Sequence, residues 1–186
     1  MISTIAWAIA GFVAFLFAVA AFRPATFTVS RSAVIATPQA RLFGIVSDLA
    51  NFDAWSPWYR LDTAMKKTFS DQTKGIGASY AWDGNGDVGA GKLTIVDLSP
   101  DDSVTLDLDF LRPFKAKNSV IFALKAEEGG TRMTWTMHGP LPIFARLMHM
   151  FVNMDKMVGG QFEEGLGNLK ALAETNPGGD LPGIVV

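Results

Sequence analysis

The chain has 186 residues, with 16 Lys and Arg against 18 Asp and Glu and a formal net charge of −2. That balance excludes the basic footprint of a nucleic-acid-binding protein, so no nucleic-acid partner is expected. The absence of cysteine excludes disulfides and thiolate metal sites, and with only two histidines, His138 and His149, no metal centre is expected.

The chain opens on an apolar segment. No charged side chain precedes Arg23, and the run from Ile5 to Phe22 is apolar throughout. At ~1.5 Å per residue such a run reaches across most of a ~30 Å hydrocarbon core, which predicts one N-terminal transmembrane helix within residues 1–23. A cleaved signal peptide would carry basic residues ahead of the apolar run, and none stands there, although Ala18-Val19-Ala20 has the small residues of a cleavage site. The first basic residues, Arg23, Arg31 and Arg41, follow the segment. The positive-inside bias then predicts a single-pass membrane protein with its main domain in the cytoplasm, the periplasm being the alternative. Ala6, Ala10, Ala14 and Ala18 recur every four residues beside Gly11. This spacing suits a helix–helix partner in lipid, although alanine is common in apolar segments for other reasons.

Phe27 to Ala36 is rich in β-branched residues and reads as a strand. Thr37-Pro38 then starts a helix, with Thr as the cap and Pro at the first helical position. Leu42, Phe43, Val46 and Leu49 give that helix one apolar face, and the stretch from Asn51 to Trp58 breaks it. A run of strands follows. Tyr80 and Trp82 share a face, Lys92 to Val96 reads as extended, and Val104, Leu106, Leu108 and Phe110 alternate with Thr105, Asp107 and Asp109. Val120, Phe122 and Leu124 share a face, and Met133, Trp135 and Met137 alternate with Thr134, Thr136 and His138. Period-two patterning of this kind predicts an antiparallel sheet with one covered and one wet face. A long helical region is predicted from Pro142 to Glu174, stepping through Leu147, Phe151, Met154, Val158, Phe162, Leu166, Leu169 and Ala173. Gly159-Gly160 is a point where it bends or divides. The domain boundaries expected are an anchor at 1–23, a main domain at 24–175 and a breaker-rich tail at 176–186.

Several motifs resolve into ordinary structure. The letters from Gly84 to Gly89 spell G-x-G-x-x-G, but a dinucleotide site needs a helix next and here a strand follows, so the segment reads as a hairpin turn and no cofactor is expected. Asp83, Asn85 and Asp87 imitate the start of a calcium loop, yet Val88 stands at its required glycine and Thr94 at its bidentate glutamate. Asp107, Asp109 and His138 belong to a polar strand face, Glu163 and Glu164 to a wet helix face, and His149 has no acidic partner near it in sequence. No catalytic constellation is assembled from them.

Certain segments resemble a known family. Arg31-Ser32 with Ala36-Thr37-Pro38, the segment from Asn51 to Trp58, the stretch from Gly130-Thr131 through Trp135 to Gly139-Pro140, and that from Met154 to Glu163 are similar to the SRPBCC superfamily. This is the superfamily of START and Bet v 1-like domains, and the likeness is to its polyketide cyclase/dehydrase and lipid-transport-like group. It covers about residues 26 to 175. It implies an α+β helix-grip fold, a curved antiparallel sheet of about seven strands around a long C-terminal helix, here with the added transmembrane helix. It also implies a cavity between sheet and helix.

The residues expected to bind a ligand there are Tyr80, Trp82, Leu106, Leu108, Phe110, Phe122, Met133, Trp135 and Met137 from the sheet. Met150 and Met154 join them from the helix, where Met148 and Met157 extend a methionine cluster suited to varied apolar partners. Trp55 and Trp58 close one end of the cavity or sit at a membrane interface. The leading expectation is a membrane-anchored domain binding a hydrophobic small molecule or lipid. The alternatives are a cyclase or dehydratase-type enzyme, which needs a pKa-shifted polar group inside the cavity, and an accessory subunit of a membrane complex.

Overall fold

A computed structural model describes residues 2–148 and 153–175. Its centre is one seven-stranded antiparallel sheet in the order β1-β7-β6-β5-β4-β3-β2. The strands are β1 (Thr26–Ile35), β2 (Lys66–Phe69), β3 (Ser79–Asp83), β4 (Ala90–Ser99), β5 (Ser103–Arg112), β6 (Ala116–Glu127) and β7 (Gly130–Pro140). The helices are α1 (Ile2–Ala21), α2 (Gln39–Val46), α3 (Phe52–Trp55), α4 (Ile143–Met148) and α5 (Met154–Thr175). Two 3-10 turns, Leu49–Asn51 and Pro57–Leu61, flank α3.

Register aligns the alternating residues into rows across the covered face. Leu106 pairs with Val120, Val120 with Met137, and Met137 with Val29. The next row runs Val104, Phe122, Trp135, Arg31. Because side chains alternate strictly along a strand, one register decides the facing of every residue in the row. The apolar members are buried, and Asp107 and His138, one position out of phase, are exposed. α2 covers the face above β5, β6 and β7, while α5 lies against β1, α3 and the turn Pro57–Leu61.

Some local expectations change. The predicted long helix is two helices, α4 and α5, and α5 runs unbroken through Gly159-Gly160. Gly159 is there for close approach, since a Cβ at this position would collide with the Arg31 guanidinium. Thr37 does not cap α2. Pro38 occupies the cap position with no side-chain cap bond, and the buried Thr37 instead offers its carbonyl to Thr131 Oγ1 at 2.8 Å. The segment from Gly84 to Gly89 is the β3–β4 turn, closed by Asn85 Oδ1 accepting from the Asp87 and Val88 amides at 2.9 and 3.3 Å. The strand β2 was not foreseen. Phe151, His149, Met150 and the tail at 176–186 lie outside the described residues.

The expected transmembrane anchor is corrected. Among the described residues no helix is long and apolar enough to cross a membrane. The physical reason lies in the segment itself. Ser3 and Thr4 open it, so the uninterrupted apolar stretch of α1 starts at Ile5 and ends at Ala21, at the short limit of what a ~30 Å core asks for. Alanine and glycine, which carry little apolar area, fill many of its positions. α1 instead rests against α4, with Ala20 fully buried. The fold class is therefore α+β, with no spanning helix among the described residues, and the single-pass placement with its cytoplasmic or periplasmic orientation is withdrawn.

Candidate functional site

The period-two pattern of β6 and β7 points Phe122, Met133, Trp135 and Met137 at the helical layer. From the other side, α3 brings in Phe52 and Trp55, and the following turn brings in Trp58. Asn168 of α5 fixes α3 by donating from Nδ2 to the Trp55 carbonyl at 3.2 Å. α5 contributes Phe162, whose ring stacks on Trp135 with centroids 4.3 Å apart. The Trp55 ring meets Phe122 and Trp135 edge-on at 5.5 and 5.2 Å, and Trp58 meets Trp135 at 5.8 Å. Edge-on and stacked pairs of this kind are worth about 0.5–1.5 kcal/mol each beyond area burial.

The ring contacts form one continuous path. Phe110 meets Trp82 at 6.1 Å, Trp82 meets Tyr80 at 6.0 Å, Tyr80 meets Phe52 at 5.9 Å and Phe52 meets Trp55 at 5.0 Å. From Trp55 the path continues through Trp135 to Phe162. Gly165 lets α5 come this close, since a Cβ there would stand 2.7 Å from Trp135 Cζ3 and 3.2 Å from Pro57 Cδ.

Two polar features interrupt this interior. The indole nitrogens of Trp55 and Trp135 are buried and have no hydrogen-bond partner among the described residues. A buried donor left unpaired costs about 1–3 kcal/mol. Trp82, by contrast, donates its indole N–H to the Val88 carbonyl at 3.1 Å.

The second feature is a buried carboxylate. Asp53, in α3, has a side chain only 3% exposed. Lys67 Nζ of β2 lies 2.7 Å from its Oδ2, and the Tyr80 hydroxyl donates to its Oδ1 at 2.9 Å. The same ammonium sits 4.6 Å from the Tyr59 ring centre. Burial pushes the Tyr80 phenol far above its ordinary pKa, and the Asp53 charge and hydrogen bond push in the same direction. Tyr80 therefore stays a neutral donor, and Asp53 accepts at both oxygens, from Lys67 and from Tyr80.

A third cluster ties α5 to the sheet. Arg31 of β1 donates from Nε to Glu163 at 2.6 Å and from Nη1 and Nη2 to the two Asp155 oxygens at 3.0 Å each. These bonds hold the Asp155 carboxyl below the usual carboxylate range.

Most sheet residues expected to line a ligand site are brought together. Tyr80, Leu106, Leu108, Phe122, Met133, Trp135 and Met137 are buried in one cluster, and Trp82 and Phe110 are partly buried against it. Met154 begins α5, and Met150 lies outside the described residues. Of the neighbouring methionines, Met148 and Met157 are 47% and 54% exposed. Trp55 lies in the interior at 1% exposure. Phe52, Asp53, Lys67 and Phe162 were missed. Phe52 and Trp55, three residues apart, carried a helical signal inside a stretch read only as a break.

Asp107, Asp109 and His138 face outward around a shallow hollow of about 280 Å³ that Ser119 also lines. The register sets Ser119 between His138 and Asp107. A hydrolytic triad needs the imidazole between serine and carboxylate, so this row lacks that geometry.

The family model described as "Polyketide cyclase / dehydrase and lipid transport" matches residues 26–174. None of the curated proteins matches the chain. Among solved structures, the di-domain ARO/CYC StfQ from the steffimycin biosynthetic pathway aligns at 12% identity over 81% of this chain and 51% of that one, with a TM-score of 0.62. A putative uncharacterized protein from Rhizobium leguminosarum aligns at 18% identity over 81% and 95%, with a TM-score of 0.59. The Aha1 dimer from Colwellia psychrerythraea aligns at 16% identity over 82% and 99%, with a TM-score of 0.55. At these identities the structural likeness establishes the fold.

Proposed function

We propose, from the premise that this chain belongs to the polyketide cyclase/dehydrase and lipid transport family, that its domain binds an apolar small molecule between the sheet and α5. The observation that carries the reading is the unbroken aromatic path from Phe110 to Phe162 on the covered face. On this reading the sheet residues expected from the sequence line the site, together with Phe52, Trp55 and Phe162. Aromatic walls with few polar groups are the usual make-up of small-molecule sites. Affinity would come chiefly from apolar area removed from water, at about 25 cal/mol per Å² before the costs of association.

The test is native mass spectrometry of the full chain purified from its own cells, followed by denaturation and organic extraction. One apolar compound at near-stoichiometric amount supports the reading. A bare protein that also takes up no added apolar compound refutes it, and a protein partner recovered in its place favours an accessory role.

A second reading, a cyclase or dehydratase-type enzyme, is favoured by the buried Asp53 and its Tyr80 hydrogen bond. Buried, strongly perturbed groups are over-represented at catalytic centres. On this reading Asp53→Asn and Tyr80→Phe abolish conversion of the extracted compound while retaining its binding. Unchanged conversion in both removes the enzyme reading.

A further inference from the structure

The proposed site would be apolar almost throughout, yet it holds two hydrogen-bond donors that nothing among the described residues receives. Trp55 and Trp135 are 1% and 2% exposed, and their ring centres are 5.2 Å apart. The other donors of the aromatic path are paired, Trp82 with the Val88 carbonyl and Tyr80 with Asp53. Within an indole, Cζ3 lies at the opposite end from Nε1. In Trp135 the Cζ3 end lies against Gly165 of α5. The N–H end of that ring is therefore the end remote from Gly165, buried among the packed rings.

We propose that the indole N–H groups of Trp55 and Trp135 form the polar recognition element of the ligand site, and that the ligand is an apolar molecule carrying a carbonyl-type oxygen. A carbonyl oxygen has two lone pairs and accepts two N–H donors, whereas a pure hydrocarbon leaves both unpaired. A site built to hydrogen-bond a group rejects the analogue that lacks it, because the site's own buried groups are then left without partners. The inference rests on the binding reading above and adds a chemical class to it. A competing account is internal, since the two rings meet edge to face at 74° and an N–H can rest on a ring face.

The experiment uses a shape-matched pair, 9-fluorenone and fluorene, which share a fused tricyclic frame and differ by one ketone oxygen. Dissociation constants are measured on the full chain, on Trp55→Phe and on Trp135→Phe, with thermal melts to confirm that each variant is folded. The five indole N–H signals of a 15N-tryptophan sample are followed in parallel and assigned with the variants. The expected result is tighter binding of fluorenone than fluorene in the wild type. Each variant then loses about tenfold in fluorenone affinity with little change for fluorene, and fluorenone alone shifts the Trp55 and Trp135 signals. Equal affinities that fall together in the variants overturn the recognition element while sparing the apolar site. Binding of neither compound overturns the apolar site itself and this inference with it.

Discussion

Alkaline pH provides the sharpest test of the buried polar network. Tyr80 is 2% exposed and donates to Asp53, and its phenol is held far above its ordinary value of about 10. Burial is the largest cause, and the Asp53 charge reinforces it. A pKa raised on folding stabilises the fold fully below the unfolded value and less as pH rises past it. Each pH unit above about 10 then costs about 1.36 kcal/mol, or about 2.7 kcal/mol between pH 10 and pH 12. Tyr80→Phe removes both the hydroxyl and this titration. At pH 8 the variant loses a hydrogen bond to a charged acceptor, about 2 kcal/mol. That deficit shrinks above pH 10 and vanishes near pH ~11.5, where the two contributions cancel. Urea unfolding of wild type and variant at intervals from pH 8 to pH 12 measures the crossing, and Lys67 and Tyr59, the other titratable groups beside Asp53, are present in both. Absorbance provides an independent check. The chain has two tyrosines, so in Tyr59→Phe any phenolate signal belongs to Tyr80 and appears only with unfolding. A deficit independent of pH, or phenolate forming near pH 10 in folded protein, would refute the reasoning.

Gly165→Ala sets helix propensity against space. Alanine gains up to about 1 kcal/mol in a helix, but its Cβ would press on Trp135, which is pinned by stacking on Phe162, so a net loss of about 1–2 kcal/mol in urea unfolding is expected. Trp135→Ala leaves a cavity among four rings and costs about 3–5 kcal/mol, read as a lower urea midpoint at unchanged slope. Asp155, held below its ordinary 3.8 by Arg31, contributes stability present above that value and lost as pH falls through the folded one. The urea midpoint of wild type should therefore fall more steeply below pH 4 than that of Asp155→Asn, and equal slopes would show that the Arg31 pairing adds nothing.

Patterns read along the chain were sufficient for the sheet and much of its lining. Leu106, Phe122, Met133 and Trp135 stand at alternate positions in strands long enough for the period to show, and a strand's two faces follow from that alternation alone. The order of elements followed from the same patterns, and the family likeness carried the helix-grip arrangement. Two local readings failed where pattern and length disagree. The apolar opening segment was long enough to suggest a span but not long enough to make one. The region from Pro142 onward kept its helical period, yet Asn153 belongs to neither α4 nor α5.

Tertiary structure alone decided what Asp53, Lys67 and Tyr80 do. They are polar residues on a short helix and two strands, and no spacing in the chain links them. Their meeting depends on how α3 sits over the β2–β3 end of the sheet, which register and packing settle together. The same holds for the unpaired indoles. The sequence by itself determined that Trp135 faces inward, because alternation in β7 is local. Whether its N–H finds an acceptor depends on which rings and which glycine surround it, and those come from β6, α3 and α5, brought together only when the sheet is covered.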